Sequence, residues 1–175
     1  MRESKRLFFG LTLPDEIRQA VVRWRADSFP AAAGYPVAAG DLCLTLAYLG
    51  ELSEEKTEAL IQLAGRIRQP GFTLTLDDAG HWPRSGTLWL GPHRAPRGLL
   101  QLADLLRSQA ARSGCYQSPM PFHPHITLLR QATKPVALPA RNFSWSFAVG
   151  RFVLYQSHFS RGRSRLKEIK TWLLQ

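Results

Sequence analysis

Cys43-Leu44-Thr45 and His125-Ile126-Thr127 repeat one short pattern: a side chain able to move a proton, followed two residues later by a threonine, inside an apolar run. Strand side chains alternate between faces, so the two members of each pair share one side. A pair of imidazoles across a cleft is what in-line attack at phosphorus needs. One takes a proton from the nucleophile and the other gives one to the leaving oxygen. Threonine hydroxyls can donate to the non-bridging oxygens as charge builds. The second copy is a His-x-Thr, and the first becomes one only if Cys43 is exchanged for histidine. A thiolate held among cations could itself act as a nucleophile, but most unpaired cysteines are small core residues.

The elements that would position these pairs occur in the same order twice. Arg6–Leu13 is an apolar strand, and Pro14, Asp15 and Glu16 suit the first turn of a helix, where a missing N–H costs nothing and acids complement the dipole. Ile17, Val21 and Trp24 carry the apolar face of that helix, a Gly/Pro loop from Pro30 to Pro36 ends it, and Leu42–Leu49 is the next strand. Thr87–Leu90, Arg97–Ser113 and His123–Leu129 repeat strand, helix and strand, with Gly114 placed to close the helix. Leu7 and Leu88 are 81 residues apart and Cys43 and His125 are 82 apart, which predicts an internal β-α-β duplication over about 6–49 and 87–129. Ser53 caps a further helix faced by Leu60, Leu63, Ala64 and Ile67 and ending near Pro70-Gly71. Phe72–Leu76, Asn142–Phe147 and Arg151–Phe159 read as strands, and Arg165–Leu174 as strand or helix.

These elements predict one α+β domain over residues 1–175: two intertwined lobes related by a pseudo-twofold axis, antiparallel-rich sheets flanking a central cleft, and helices outside. A doubly wound parallel sheet would share the helix and strand alternation, but no glycine-rich phosphate loop opens a helix. With 175 residues, 45% of them hydrophobic, the chain can bury a sizeable core. It has no apolar run of membrane-spanning length, and Met1–Arg6 lacks the features of a signal peptide, so the cytoplasm is the expected compartment. The two cysteines, Cys43 and Cys115, imply neither a disulfide framework nor a zinc site, and no metal or cofactor is expected. A net charge of +10, with basic runs such as Arg161-Gly162-Arg163-Ser164-Arg165, favours a polyanionic partner such as RNA, although a basic surface also serves solubility. Nothing in the pattern calls for more than a monomer or for an obligate protein partner.

Phe8-Phe9, the run from Leu42 through Thr45 and Tyr48 to Gly50, and Phe122-His123-Pro124-His125-Ile126-Thr127-Leu128-Leu129-Arg130 resemble the bacterial RNA 2′,3′-cyclic phosphodiesterases, also called 2′-5′ RNA ligases, of the 2H phosphoesterase superfamily. The likeness runs over essentially the whole chain. One His-x-Thr is weak evidence, whereas two in matching repeats with these flanks are strong. The resemblance implies hydrolysis of RNA terminal 2′,3′-cyclic phosphate to a 2′-phosphate, with reversible 2′-5′ joining of RNA ends. It implies that His125 activates water, that Thr45 and Thr127 hold the phosphate, and that Arg130 contacts phosphate or base. At position 43 the resemblance implies a histidine that protonates the departing 3′-oxygen. A thiol is shorter and, with an ordinary pKa of ~8.5, a poorer acid than imidazolium. The expectation is therefore an enzyme impaired by Cys43, the alternative being a nucleotide- or RNA-binding module that has lost turnover. A phosphodiesterase for a small cyclic nucleotide or ADP-ribose cyclic phosphate is a third reading.

Tyr48 and Phe9 are candidates for stacking on a nucleobase. Strict alternation sets Tyr48 opposite to Cys43 and Thr45, and Arg130 opposite to His125 and Thr127. Only a strand end, a bulge or strong twist would turn either into the cleft. His123 shares a strand face with His125 and could substitute as an acid, but the i, i+2 spacing puts it ~7 Å along the strand, so it is expected to orient a neighbour or face solvent. His81, His93 and His158 are expected to be structural or solvated.

Overall fold

The computed structural model describes residues 4–160 and 163–175, so Met1–Glu3 and Arg161–Gly162 of the basic run lie outside the described residues. Ten strands and three α-helices follow in the order β1 (Ser4–Thr12), α1 (Asp15–Ser28), β2 (Tyr35–Pro36), β3 (Cys43–Gly50), α2 (Glu54–Ala64), β4 (Phe72–Leu76), β5 (Asp78–Trp82), β6 (Thr87–Gly91), α3 (Arg97–Arg112), β7 (Ile126–Arg130), β8 (Trp145–Val149), β9 (Arg151–Ser160) and β10 (Arg163–Leu173).

Local chemistry explains the helix ends. Asp15 and Glu16 sit in the first turn of α1, at the positive end of its dipole. At α2 the Lys56 N–H donates to Ser53 Oγ at 3.2 Å, which satisfies one orphan amide. α3 buries Leu99, Leu102, Ala103, Leu106 and Ala110 as one stripe, and Gly114 follows at φ +90°, a left-handed turn that glycine adopts without a Cβ clash. α2 stops at Ala64, earlier than Pro70, with Gly65, a poor helix former, as its C-cap, while Ile67 packs on the core from beyond the helix.

The main sheet has eight strands in the order β10-β9-β1-β3-β7-β6-β5, with β2 paired to β7, while β4 and β8 form a separate two-stranded sheet. Every pairing is antiparallel, so the α+β reading holds and the doubly wound alternative falls. β3 and β7 meet through a single registered pair, Leu44 and Ile126, both fully buried. That pair joins the strand-helix-strand unit of the first half to that of the second.

Alternate residues of β1, β3 and β7 (Phe9, Leu11, Leu44, Leu46, Ile126 and Leu128) enter one continuous core with the buried stripes of all three helices. A smaller cluster of Phe8, Val153 and Tyr155, with Cys43 and Leu166 against it, lies apart from that core. α1 is tied to the second half by Arg25, whose Nη1 donates to the carbonyls of Val37 at 2.7 Å and Leu128 at 3.1 Å.

Several boundaries differ from the sequence reading. β7 begins at Ile126, so His125 stands in the extended segment before the ladder, next to Pro124, which has no N–H to give it. β8 starts three residues and ends two residues later than expected, at Trp145–Val149, and Arg165–Leu174 is strand throughout its paired length. β2 and β5 have no sequence signal: β2 is two residues long, and β5 contains Asp78 and Gly80, poor strand formers carried by pairing to β6. No helix among the described residues is long and apolar enough to cross a membrane.

Candidate active site

A cleft of about 230 Å3 is lined by Cys43, Thr45, Tyr48, His125, Thr127 and Arg130, together with Arg6, Phe8, Val37, Asp41, Ser157 and Leu166. The two threonine pairs thus meet in one cavity, contributed by β3 and by the segment entering β7. Of the residues singled out from sequence, only Phe9 is elsewhere. It is 1% exposed and packs against the rings of Phe152 and Trp172 in the core. Its neighbour Phe8 points to the cleft and stacks on Tyr155, with ring centroids 5.2 Å apart.

Tyr48 and Arg130 reach the cleft through the same backbone device in each half. On β3, Gly10 pairs with Thr45 and Phe9 with Ala47, so Leu46 is skipped. On β7, Trp89 pairs with Thr127 and Leu88 with Leu129, so Leu128 is skipped. A bulge adds one residue and reverses the parity of everything after it. The third residue past each threonine therefore returns to the threonine's own face. Burial follows this switch: Ala47 and Leu129 are buried, and Tyr48 and Arg130 are exposed.

The imidazole of His125 is held from two sides. Its Nδ1–H donates to the His123 carbonyl at 2.8 Å, and because a carbonyl can only accept, Nε2 is left with the free lone pair. The indole of Trp82 stands edge-on to it at 4.8 Å between centroids, and Trp82, Trp89 and His123 form a contiguous aromatic group. Gly80 makes room for that group, since a Cβ there would lie 2.2 Å from the Trp89 ring. Burial lowers the pKa of His125, with repulsion from His123 adding to it and the bond to the His123 carbonyl opposing it. His125 is accordingly a neutral base at pH 7.

Cys43 is pushed the other way on the acid scale and toward the same neutral state. Burial raises its thiol to about 12, Asp41 reinforces the shift, and Arg130 and Arg18 oppose it. A thiolate nucleophile is therefore disfavoured at neutral pH. Beside it, Tyr155 and Thr12 share a hydroxyl-hydroxyl bond, and burial likewise raises Tyr155 to about 12. Asp41 is itself occupied by the Leu166 N–H at 3.2 Å.

Sequence reasoning missed Arg6, Phe8, Asp41 and Trp82. Arg6 and Phe8 carried a usable signal, because they alternate on β1 with the core residues Leu7 and Phe9. Trp82 carried none, since only the β5–β6 pairing brings it to His125. His81 is structural, donating from Nε2 to the Ala132 carbonyl. Among the described residues no group of three or more His, Cys, Asp or Glu side chains gathers at metal-holding range.

This antiparallel fold with paired x-Thr motifs on one cleft defines a 2H-type phosphoesterase, and residues 13–160 match the model of the 2′-5′ RNA ligase superfamily; the chain belongs to that family. It is 62% identical to the RNA 2′,3′-cyclic phosphodiesterase of Escherichia coli (strain K12) over 174 residues, 99% of each chain. It is 32% identical to the RNA 2′,3′-cyclic phosphodiesterase of Thermus thermophilus, over 87% of this chain and 81% of the relative. The crystal structure of E. coli LigT complexed with 3′-AMP superposes with a TM-score of 0.94 at 62% identity, covering 98% of both chains.

Proposed function

We propose that this chain opens RNA terminal 2′,3′-cyclic phosphates to 2′-phosphates, and joins RNA ends reversibly through 2′-5′ linkages, by general acid–base chemistry in the cleft between Cys43 and His125. The observation that supports this most is the meeting of both x-Thr pairs with Arg130 in one cavity. The names of the relatives point to the same reaction.

In this reading His125 Nε2 takes a proton from water, whose oxygen attacks phosphorus. The P–O3′ bond breaks, and the 3′-oxygen takes a proton from the donor at position 43. Thr45 and Thr127 hold the non-bridging oxygens, and Arg130 neutralises their charge. Tyr48, exposed on the cleft wall, stacks on the terminal base. The thiol of Cys43 is short and holds its proton to about 12, so protonation of the leaving oxygen is the weak step and turnover is slow. The substrates are RNA ends or nucleotides with a 2′,3′-cyclic phosphate, handled by a cytoplasmic monomer.

The test is hydrolysis of a 2′,3′-cyclic mononucleotide and of a cyclic-phosphate-ended RNA by the chain and by Cys43→His. The expected result is a 2′-phosphate product and a rate gain of ~10²–10⁴ for the histidine form. Equal rates for the two forms would remove position 43 from the mechanism, and no turnover by either would overturn the enzymatic reading.

A further inference from the structure

A second cavity, of about 630 Å3, opens beside the cleft and shares Thr127 and Arg130 with it; its other walls are Ser85, Gly86, Thr87, Gln131 and Thr133. We infer that this cavity holds the 5′-terminal nucleoside of a second RNA strand, whose 5′-hydroxyl replaces water as the nucleophile in 2′-5′ joining. The inference rests on the reading of the cleft given above, and adds to it a place for the acceptor.

In-line displacement puts the attacking and leaving oxygens on opposite sides of phosphorus. The P–O3′ bond breaks toward Cys43 and Thr45, so the nucleoside carrying the cyclic phosphate occupies the β3 side. Whatever is attached to the attacking oxygen lies on the side of His125 and Thr127. For water that space is empty; for an RNA 5′-hydroxyl it must hold a ribose and a base. The second cavity is on that side, reached from the cleft along Thr127 and Arg130. Atoms balance as they do in hydrolysis: the 5′-hydroxyl proton goes to His125 Nε2, P–O5′ forms, P–O3′ breaks, and the 3′-oxygen is protonated. A 2′-5′ diester and a free 3′-hydroxyl result.

The walls fit that occupant. Gln131 and Thr133 offer an amide and a hydroxyl, and the Ser85 and Thr87 hydroxyls, bonded to each other at 3.0 Å, keep lone pairs for ribose hydroxyls and base edges. Among the described residues no carboxylate lines the cavity to repel a phosphate. Its volume falls within the ~300–1,000 Å3 usual for small-molecule sites. The floor is preformed. The Ala132 N–H donates to the Gly86 carbonyl at 2.9 Å, and His81 holds the Ala132 carbonyl. Gly86 has φ +73°, and a Cβ there would press on the 131–132 backbone at 3.2 Å. Gln131, held at φ +57°, is exposed and lines this wall.

The experiment compares two ligands of equal charge by calorimetry on the chain as it stands: 3′-deoxyadenylyl-(2′-5′)-adenosine, which lacks the 3′-hydroxyl needed for cleavage, and the methyl ester of 3′-deoxyadenosine 2′-phosphate. The dinucleotide is expected to bind about tenfold tighter or more. Thr133→Trp and, separately, Ser85→Trp should each collapse that ratio toward one. Both positions are exposed, so bulk added there fills the cavity and not the core. A ratio near one in the unaltered chain, or a ratio untouched by both tryptophans, overturns the acceptor site while leaving the cleft reading intact. Failure of the methyl ester itself to bind overturns the cleft reading and the acceptor site together.

Discussion

In the half of the cleft built on β7, burial leaves His125 neutral with a lone pair free; in the half built on β3, the same burial leaves Cys43 neutral with its proton locked in place. The two halves share a strand register, a threonine at i+2 and a bulge that turns the next polar or aromatic residue inward. Like surroundings therefore produce unlike competence. A neutral imidazole is ready to accept a proton, whereas a neutral thiol at about 12 is a reluctant donor. Architecture alone does not make a half-site catalytic; the side chain must also respond usefully to desolvation.

The comparison breaks most sharply at position 43. Cys43→His should narrow the difference between halves and raise cyclic-phosphate hydrolysis by ~10²–10⁴, measured as initial rates. In that histidine background, Thr127→Val and Thr45→Val test whether the hydroxyls are equivalent. Each should lower kcat by ~10²–10³, the usual effect of losing one donor to a developing oxyanion. A loss confined to one of them would show that the halves share phosphate unequally.

A smaller effect concerns the support of His125. Gly80→Ala drives a Cβ into the Trp89 ring and should cost ~1–3 kcal/mol of stability, read from denaturant midpoints. Smallest is a shift in pH profile. Activity that requires neutral His125 rises with pH through its pKa, which burial holds below the ordinary value. Trp82→Ala admits water, moves that pKa up, and so moves the acidic limb of kcat/KM to higher pH. An unmoved limb would mean that Trp82 does not govern the solvation of His125.

Much of this was legible in the sequence, because it depends on local pattern. The stripe of α3, the Ser53 cap, the glycine ending α3 and the apolar alternation of β1 and β3 each follow from side chains a few residues apart. The two matching x-Thr patterns likewise anticipated that Cys43, Thr45, His125 and Thr127 would share one cleft, although in the sheet it is Phe9, not Leu7, that pairs as Leu88 does. Where alternation alone was applied, it misled. It set Tyr48 and Arg130 on the wrong face, and it is Phe8, not Phe9, that lines the cleft.

The chain by itself determined which residues could do chemistry, how they repeat, and which strands and helices carry them, since propensity, capping and periodicity act over one or two turns. Only the tertiary structure decided where each strand slips by a residue against its neighbour, because a bulge is chosen by the partner strand and the core behind it. From that slip came the inward turn of Tyr48 and Arg130. From the pairing of β5 with β6 came the indole against His125, and from the approach of residues 85–87 to 131–133 came the second cavity.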